Sequence, residues 1–310
     1  MSTTMRAMRA LRVMRVRRTG LSVLMALAIG QASLAALAAD VPAPAAPGAP
    51  AASGAPGMPL AVVLGQGTGS ETAPSHAARL QAVRALSKAL SSNEVHALYG
   101  LLNRKSGEDP ATPAERNALK NDVVNALKMQ KVMPTDLPAR LIAMFNDPAH
   151  DAVWRDYCIQ HLGSIYADTT PLAMQEQARQ TLLAAASEKQ GPIPGTALIA
   201  LANLSGQPGF EKARIAALAL TLVRSPDYGE PSKITAFQIC AKLGEQAVLP
   251  DARQQMSNGS VLIRVSALAC VGFLGDQSDL AALRALESNS DIRLRTAAQA
   301  AIKRLLEKPR

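Results

Sequence analysis

Cysteine and histidine side chains that could bind a metal or react with each other lie on one predicted helix. Cys158 and His161 are three residues apart, which places a thiol and an imidazole on one helix face. Two ligands are too few for a metal unless His150 or Asp147 adds another. In the structural alternative, Cys158 is a small core residue, and Asp147 or Asp151 begins the helix. The sequence therefore predicts no metal ligand, and a small metal or thiol site near Cys158 and His161 stays an alternative.

Aromatic residues of the same segment favour a binding partner over a reaction. The whole chain has one tryptophan and four tyrosines, and aromatic residues and arginine are enriched at protein interfaces. The candidate partner-binding residues are therefore Trp154, Arg155, Tyr157 and His161. The opposing interpretation pairs Arg155 with Asp151, one helical turn earlier.

Motifs of the common enzyme classes are not found in the sequence. It contains no GxSxG, no HExxH, no zinc-finger spacing and no paired-carboxylate motif. The three cysteines, Cys158, Cys240 and Cys270, lie in apolar helical segments outside any CxxC pair. Packed helices hold Cα atoms farther apart than a disulfide needs, so free buried thiols are predicted. The chain is expected to be non-catalytic and to use no cofactor.

The helices that carry these residues belong to an internal repeat. Residues 263–276 and 294–305 match in their apolar, basic and small positions at an offset of 31 residues. The repeated helices end at Leu204, Leu243, Leu274 and Leu305. These ends are 39, 31 and 31 residues apart, and a weaker copy ends at Leu162. Each repeated helix follows another amphipathic helix, and such pairs bury their apolar faces only by stacking.

The last copy resembles a HEAT-like repeat of the short form found in bilin-lyase-type HEAT proteins. Its matching positions are Gly275-Asp276, Leu280, Leu283, Leu286, Leu294-Arg295, Ala297-Ala298, Ile302 and Leu305. The resemblance is specific over residues 195–305, extends back to about residue 137, and is suggestive over 76–131. It implies an all-α fold, a right-handed α-solenoid of antiparallel helix pairs that serves as a binding scaffold.

Basic residues recur at one position of three successive repeats. They are Lys233, Arg264 and Arg295. As a ligand ladder, they would line one surface and bind acidic groups. In the family that the repeats resemble, a basic residue here pairs with an acid of a neighbouring repeat. Asp276, Glu245 and Asp291 are available for such pairs. The resemblance therefore favours a structural ladder.

The first 39 residues have the composition of a secretory signal peptide. Six arginines precede the uncharged run 19–39, which ends with small residues at the cleavage positions of Ala36-Leu37-Ala38. An inner-membrane anchor formed by residues 19–39 is the alternative, because about 20 apolar residues span a bilayer. Arg17-Arg18 also loosely fits a twin-arginine signal. The sequence therefore predicts a periplasmic or secreted protein.

Residues 40–75 are rich in alanine, proline and glycine, which predicts a disordered linker. Within them, Leu60–Leu64 followed by glycines has the order of a strand before a phosphate-binding loop, but neither GxGxxG nor GK[ST] is present. Helical periodicity begins at His76. The predicted domains are thus a signal peptide at 1–39, a linker at 40–75 and a solenoid at 76–310.

The net charge of +9 is mostly a property of the N-terminus. From Asp40 onward there are 27 basic and 24 acidic residues, a balance of +3. No nucleic-acid partner is expected from so small an excess. A membrane partner is expected only if residues 19–39 stay uncleaved.

Together these observations predict an exported bacterial scaffold or adaptor whose partner is another protein. The partner would bind the surface of the repeated helices, with contacts in the irregular segment 76–161. The second hypothesis is an accessory or regulatory subunit of an envelope enzyme.

Overall fold

The computed structural model describes residues 58–66, 73–109, 111–189 and 191–308. Within these ranges the chain forms fourteen α-helices and three short 3₁₀ helices, and no strand. None of these helices is both long enough and apolar enough to cross a bilayer. The predicted signal peptide, residues 1–39, lies outside the described residues, as do residues 40–57 and 67–72 of the predicted linker.

The fourteen helices form seven successive pairs, in which an odd-numbered first helix is followed by an even-numbered second helix. They are α1 (Met58–Val63), α2 (His76–Arg84), α3 (Ser92–Leu102), α4 (Pro113–Lys128), α5 (Leu137–Asn146), α6 (Ala152–Ile165), α7 (Leu172–Ala185), α8 (Ile193–Leu204), α9 (Lys212–Arg224), α10 (Glu230–Leu243), α11 (Leu249–Asn258), α12 (Val261–Leu274), α13 (Leu280–Arg284) and α14 (Ile292–Glu307). The predicted all-α solenoid of antiparallel helix pairs is confirmed.

Local sequence signals set where several helices begin. Thr112 and Glu115 form the predicted capping box before α4, with the Thr112 hydroxyl accepting from the Glu115 amide at 3.3 Å. Ser91 and Glu94 form a second capping box before α3. Asp151 caps α6 by accepting from the Trp154 amide at 3.0 Å. Short polar residues therefore fix where these three helices begin, including α6, on which the predicted partner-binding residues lie.

The second helices pack side by side along the solenoid, each against the second helix of the next pair. Glycines permit the closest approaches. A Cβ atom at Gly272 would lie 2.8 Å from the Cα of Ala301, so α12 and α14 meet there backbone to backbone. A Cβ atom at Gly163 would lie 2.5 Å from the Cβ of Ala200 on α8. Small residues thus bring the second helices together and leave their opposite face exposed.

Residues 58–66 correct the predicted linker. Residues 58–63 form α1, which packs on α2 with Val63 fully buried. The carbonyl of Val63 accepts from Arg79 Nε at 3.0 Å. This part of the predicted linker is therefore the first helix of the first pair, and the segment that resembled a strand before a phosphate loop is helical. Burial of its apolar residues offsets the conformational entropy that the chain loses when it becomes ordered. The alanine-, proline- and glycine-rich residues around it made this helix difficult to predict from composition.

Candidate protein-binding surface

Two of the four predicted partner-binding residues lie in the core. The side chain of Trp154 is 0% exposed and that of His161 is 3% exposed. Helix α6 is covered by the second helices on both sides and by its own first helix. Because of this central position, its aromatic residues fill the core instead of facing a partner. The prediction that Trp154 and His161 bind a partner is wrong for this physical reason.

The other two predicted residues have structural contacts. Arg155 Nε donates to the carbonyl of Phe145 at 2.7 Å, and Nη2 donates to Glu188 Oε1 at 2.6 Å. The expected pairing of Arg155 with Asp151 is not formed, since Asp151 caps the helix. Tyr157 is half-buried and packs against the core. Arg155 therefore joins α6 to the end of α5 and to the residues that follow α7.

Burial keeps the Cys158 thiol of α6 protonated and the His161 imidazole neutral, which disfavours nucleophilic attack by the thiol. Burial raises the pKa of Cys158 well above its ordinary range, so the thiol stays protonated. Burial, reinforced by the charge of Lys128, lowers the pKa of His161 to about 3, so the imidazole is neutral. Among the described residues, no group of three or more histidine, cysteine, aspartate or glutamate side chains is placed to hold a metal. The geometry therefore gives no support to the metal or thiol alternative.

The basic ladder binds backbone carbonyls. Arg264 Nε donates to the carbonyl of Met256 at 2.8 Å, and Arg295 Nη1 donates to the carbonyl of Asn289 at 2.6 Å. Lys233 occupies the equivalent position, four residues after the N-cap of its helix. Met256 lies in the last turn of α11, whereas Asn289 lies in the loop between α13 and α14. Carbonyls in the last turn of a helix lack intrahelical partners and carry partial negative charge, so Arg264 stabilises the end of α11. Arg295 instead ties the loop to the start of α14.

The acids expected to pair with this ladder have other partners. Asp291 binds Arg293 at 2.7 Å, and Asp276 lies 4.0 Å from Arg253. Glu245 accepts from the amide of Ala247 at 3.1 Å. The predicted acid–base ladder is corrected to an arginine–carbonyl ladder. A sequence pattern locates a repeated arginine, but it does not distinguish a carboxylate partner from a main-chain one.

A row of side chains crosses the last four second helices, with its first three members exposed and the fourth half-buried. Each member directly precedes the leucine that ends the repeat, and the members are Asn203, Lys242, Phe273 and Arg304. Lys242 Nζ donates to Asn203 Oδ1 at 2.9 Å. The guanidinium carbon of Arg304 lies 4.4 Å from the centre of the Phe273 ring. These four residues are called the exposed row.

The exposed row is bordered by uncharged residues one helical turn earlier. They are Ile199, Gln238, Ala269 and Ala300. Ile199 is 44% exposed and Phe273 is 52% exposed, so this face shows two large apolar side chains to solvent. The charges on the two rows are the cations of Lys242 and Arg304. This combination of exposed apolar and cationic groups is typical of a binding surface.

Sequence reasoning missed the exposed row, although its signal was present. Lys242, Phe273 and Arg304 recur at the same 31-residue spacing that revealed the basic ladder. Three different residue types at one repeat position do not look like a pattern. Only their placement on adjacent helices joins them.

Two open grooves lie at the edge where one pair connects to the next. One, of about 540 Å³, is lined by Tyr166, Leu172, Glu176, Arg179, Glu211 and Arg214 among others. The second, of about 400 Å³, has Lys128, Val132 and Asp168 in its wall. Both grooves carry charges of each sign, and Glu176 and Arg179 bind each other at 2.6 Å. Their electrostatics favour no one kind of partner.

Comparisons with known proteins concern the fold. No protein-family model and no curated protein sequence matches the chain. A solved structure, a designed armadillo repeat protein, is similar with a TM-score of 0.41 and 16% sequence identity. The match covers 67% of this chain and 98% of that chain.

Proposed function

We propose that this protein is a non-catalytic protein-interaction scaffold of the bacterial cell envelope. It binds another protein on the exposed face of its second helices. The observation that carries the proposal is the pair of large apolar side chains, Ile199 and Phe273, held half-exposed on that face. A rigid array of stacked helices presents such groups at fixed spacing, which lowers the entropic cost of ordering them when a partner binds.

Envelope location is supported by the order of residues at the N-terminus. A basic segment, the uncharged run 19–39 and small residues at Ala36 and Ala38 favour export. We expect the protein isolated from the envelope of its native host to begin at Ala39 or Asp40, as determined by mass spectrometry. An intact N-terminus in the inner membrane would instead favour the anchor formed by residues 19–39. Recovery of the full-length chain in the cytoplasm would refute the envelope location.

The binding face is tested by site-specific photo-cross-linking in the native host. A photoreactive amino acid at Ile199 is expected to form an adduct with one protein. The same amino acid at Ala217, an exposed position of the first helix α9, is the matched control and is expected to form none. Equal adducts from both positions, or adducts from Ala217 alone, would contradict binding on the second-helix face.

A further inference from the structure

The exposed row has the charge pattern of a site for an acidic peptide. Its cations, Lys242 and Arg304, stand on either side of Phe273 on α10, α14 and α12. Each lies thirteen residues after the N-cap of its own helix, so the three occupy one level of the stacked helices. Helix α10 packs on α12, and α12 packs on α14. The order across the surface is therefore cation, aromatic ring, cation.

Of the carboxylates that follow the row in sequence, Glu307 lies 3.9 Å from Lys303, and two others accept from backbone amides. Glu245 accepts from the Ala247 amide, and Asp276 accepts from the Ser278 amide at 2.8 Å. These bonds hold both carboxylates at the edge where the next pair begins. Lys308 adds a further ammonium beside this edge, where Nζ donates to the carbonyl of Gly275 at 2.7 Å. The row itself contains two cations and no carboxylate, so it presents positive charge that a partner can neutralise.

Phe273 supplies an apolar contact between the two cations. Its ring is half-exposed, with Arg304 stacked on it and Ala269 one turn earlier. A large apolar side chain of a partner can cover the exposed part of the ring. The stacked guanidinium keeps donors free to bind a carboxylate.

The spacing of the helices sets the spacing of the partner's residues. Packed helices lie about 8–10 Å apart, and an extended peptide advances about 3.3 Å per residue. Successive second helices are therefore matched by about every third residue of the peptide. Lys242 and Arg304, two helices apart, match acidic residues about six positions apart.

We propose that the exposed row binds an extended acidic segment of the partner protein, in which an acidic residue, two spacers, a large apolar residue, two spacers and a second acidic residue follow in order. The carboxylates bind Lys242 and Arg304, and the apolar residue packs on Phe273. This inference rests on the proposed scaffold function and specifies the chemistry of its partner. A single aromatic ring between two cations offers little to a nucleic acid, which needs repeated stacking and phosphate contacts.

The test uses a fluorescein-labelled peptide with glutamate, two spacers, phenylalanine, two spacers and glutamate, in which the spacers are serine and threonine. Fluorescence anisotropy with the full chain is expected to show saturable binding that weakens as salt is added. Lys242→Glu and Arg304→Glu are each expected to weaken binding about tenfold or more, and Phe273→Ala severalfold. Lys303→Glu makes the same charge change on α14 outside the row, and should alter binding less than twofold.

A charge-swap variant distinguishes loss of the binding contacts from loss of the protein's fold. The double variant Lys242→Glu/Arg304→Glu is expected to bind the peptide in which lysine replaces both glutamates, while the original chain does not. The proposal is overturned by no saturable binding up to about 1 mM peptide, by an equal loss with Lys303→Glu, or by an oligothymidylate that binds with the same dependence on Lys242 and Arg304. If the protein cross-links a partner at position 199 but fails these peptide tests, the proposal of an acidic segment is refuted and the scaffold function is not.

Discussion

The first three helix pairs and the last four are held together by different interactions. In the first three pairs, charged side chains are buried, including Arg79, Asp109 and Lys120. In the last four, the buried polar residues are mostly hydroxyls, and the helices meet at small residues such as Gly272. In segment 76–161, predicted to contact the partner, several unusual residues are buried in the core, among them Trp154 and Lys120. The difference teaches that irregular sequence in a repeat array marks internal polar contacts as readily as a binding surface.

Buried charges in the first three pairs form a connected set. Arg79 Nη1 lies 3.1 Å from Asp109 Oδ2, and Arg104 lies 3.6 Å from the same atom. Lys120 Nζ donates to the carbonyl of Arg104 at 2.6 Å and lies 4.9 Å from the Trp154 ring centre. Burial lowers the pKa of Lys120 to about 8. Each charge depends on a specific partner, so this region should tolerate substitution poorly.

Removal of the shared carboxylate should have the largest effect. Asp109→Asn leaves two guanidinium groups without an anion, one of them almost fully buried, and breaking a buried ion pair costs about 3–5 kcal/mol. Urea denaturation followed by circular dichroism measures the loss. Because solenoid repeats contact only their neighbours, hydrogen exchange should accelerate in α1–α4 before α11–α14. Asp227→Asn removes an exposed pair with Lys189 and is the control, expected to cost at most about 1 kcal/mol.

Acid should destabilise the first three pairs through His150. Lys105 Nζ lies 2.7 Å from His150 Nε2, and an ammonium can only donate, so Nε2 accepts and the ring is neutral. Burial, and then the charges of Lys120 and Lys105, lower the pKa of His150 to about 4, from 6.5 in the unfolded chain. Between these values the unfolded chain holds the extra proton, so stability falls as pH falls from about 6.5 to about 4.

The loss from His150 is expected to reach at most about 3 kcal/mol. Urea denaturation as a function of pH measures it, and His150→Gln should reduce the slope in this window without abolishing it, because burial also lowers the pKa of His161, to about 3. His96→Gln, which removes an exposed histidine of α3, is the matched control. A profile that is unchanged by His150→Gln would show that another group causes the acid sensitivity.

Close packing in the last four pairs should be broken by one methyl group. In Gly272→Ala the new Cβ would lie 2.8 Å from the Ala301 Cα, so α12 and α14 must separate, at about 1–3 kcal/mol. Thermal unfolding measures the loss. Gly100→Ala on α3 meets nothing within 4 Å and should stabilise by about 0.5–1 kcal/mol. If both substitutions stabilise, close approach does not hold these helices together.

The smallest expected effect is a change in the rate at which the three buried cysteines are labelled. This rate reports local opening of the helices that carry them. Burial raises the pKa of both Cys240 and Cys270 to about 12, so neither thiol is a nucleophile in the folded state. Maleimide should label them only when α10 and α12 open. Cys158 reports α6 in the same way. Asp109→Asn should speed labelling of Cys158 and leave Cys270 unchanged, and the reverse order would contradict the division into two regions.

The sequence predicted the second helices well because repetition reinforces each assignment. Leucines at a fixed spacing, and the capping box at Thr112, specify helix positions through local interactions alone. It failed at α1, where six residues become helical because α2 covers them. It also failed at Trp154, since a rare aromatic residue suits a core as well as an interface. Burial depends on neighbouring helices, which single-chain periodicity does not locate.

By itself, then, the sequence determined the helical repeats and the position of the ladder at Arg264 and Arg295, since helix formation depends on residues a few turns apart and the repeat places the same residue type at each copy. Only the tertiary structure decided what each repeated side chain touches. It gave the ladder carbonyl partners and placed Trp154 in the core. It also joined Lys242, Phe273 and Arg304 into one surface. These residues are 31 apart in sequence, and only the stacking of helices brings such distant positions together.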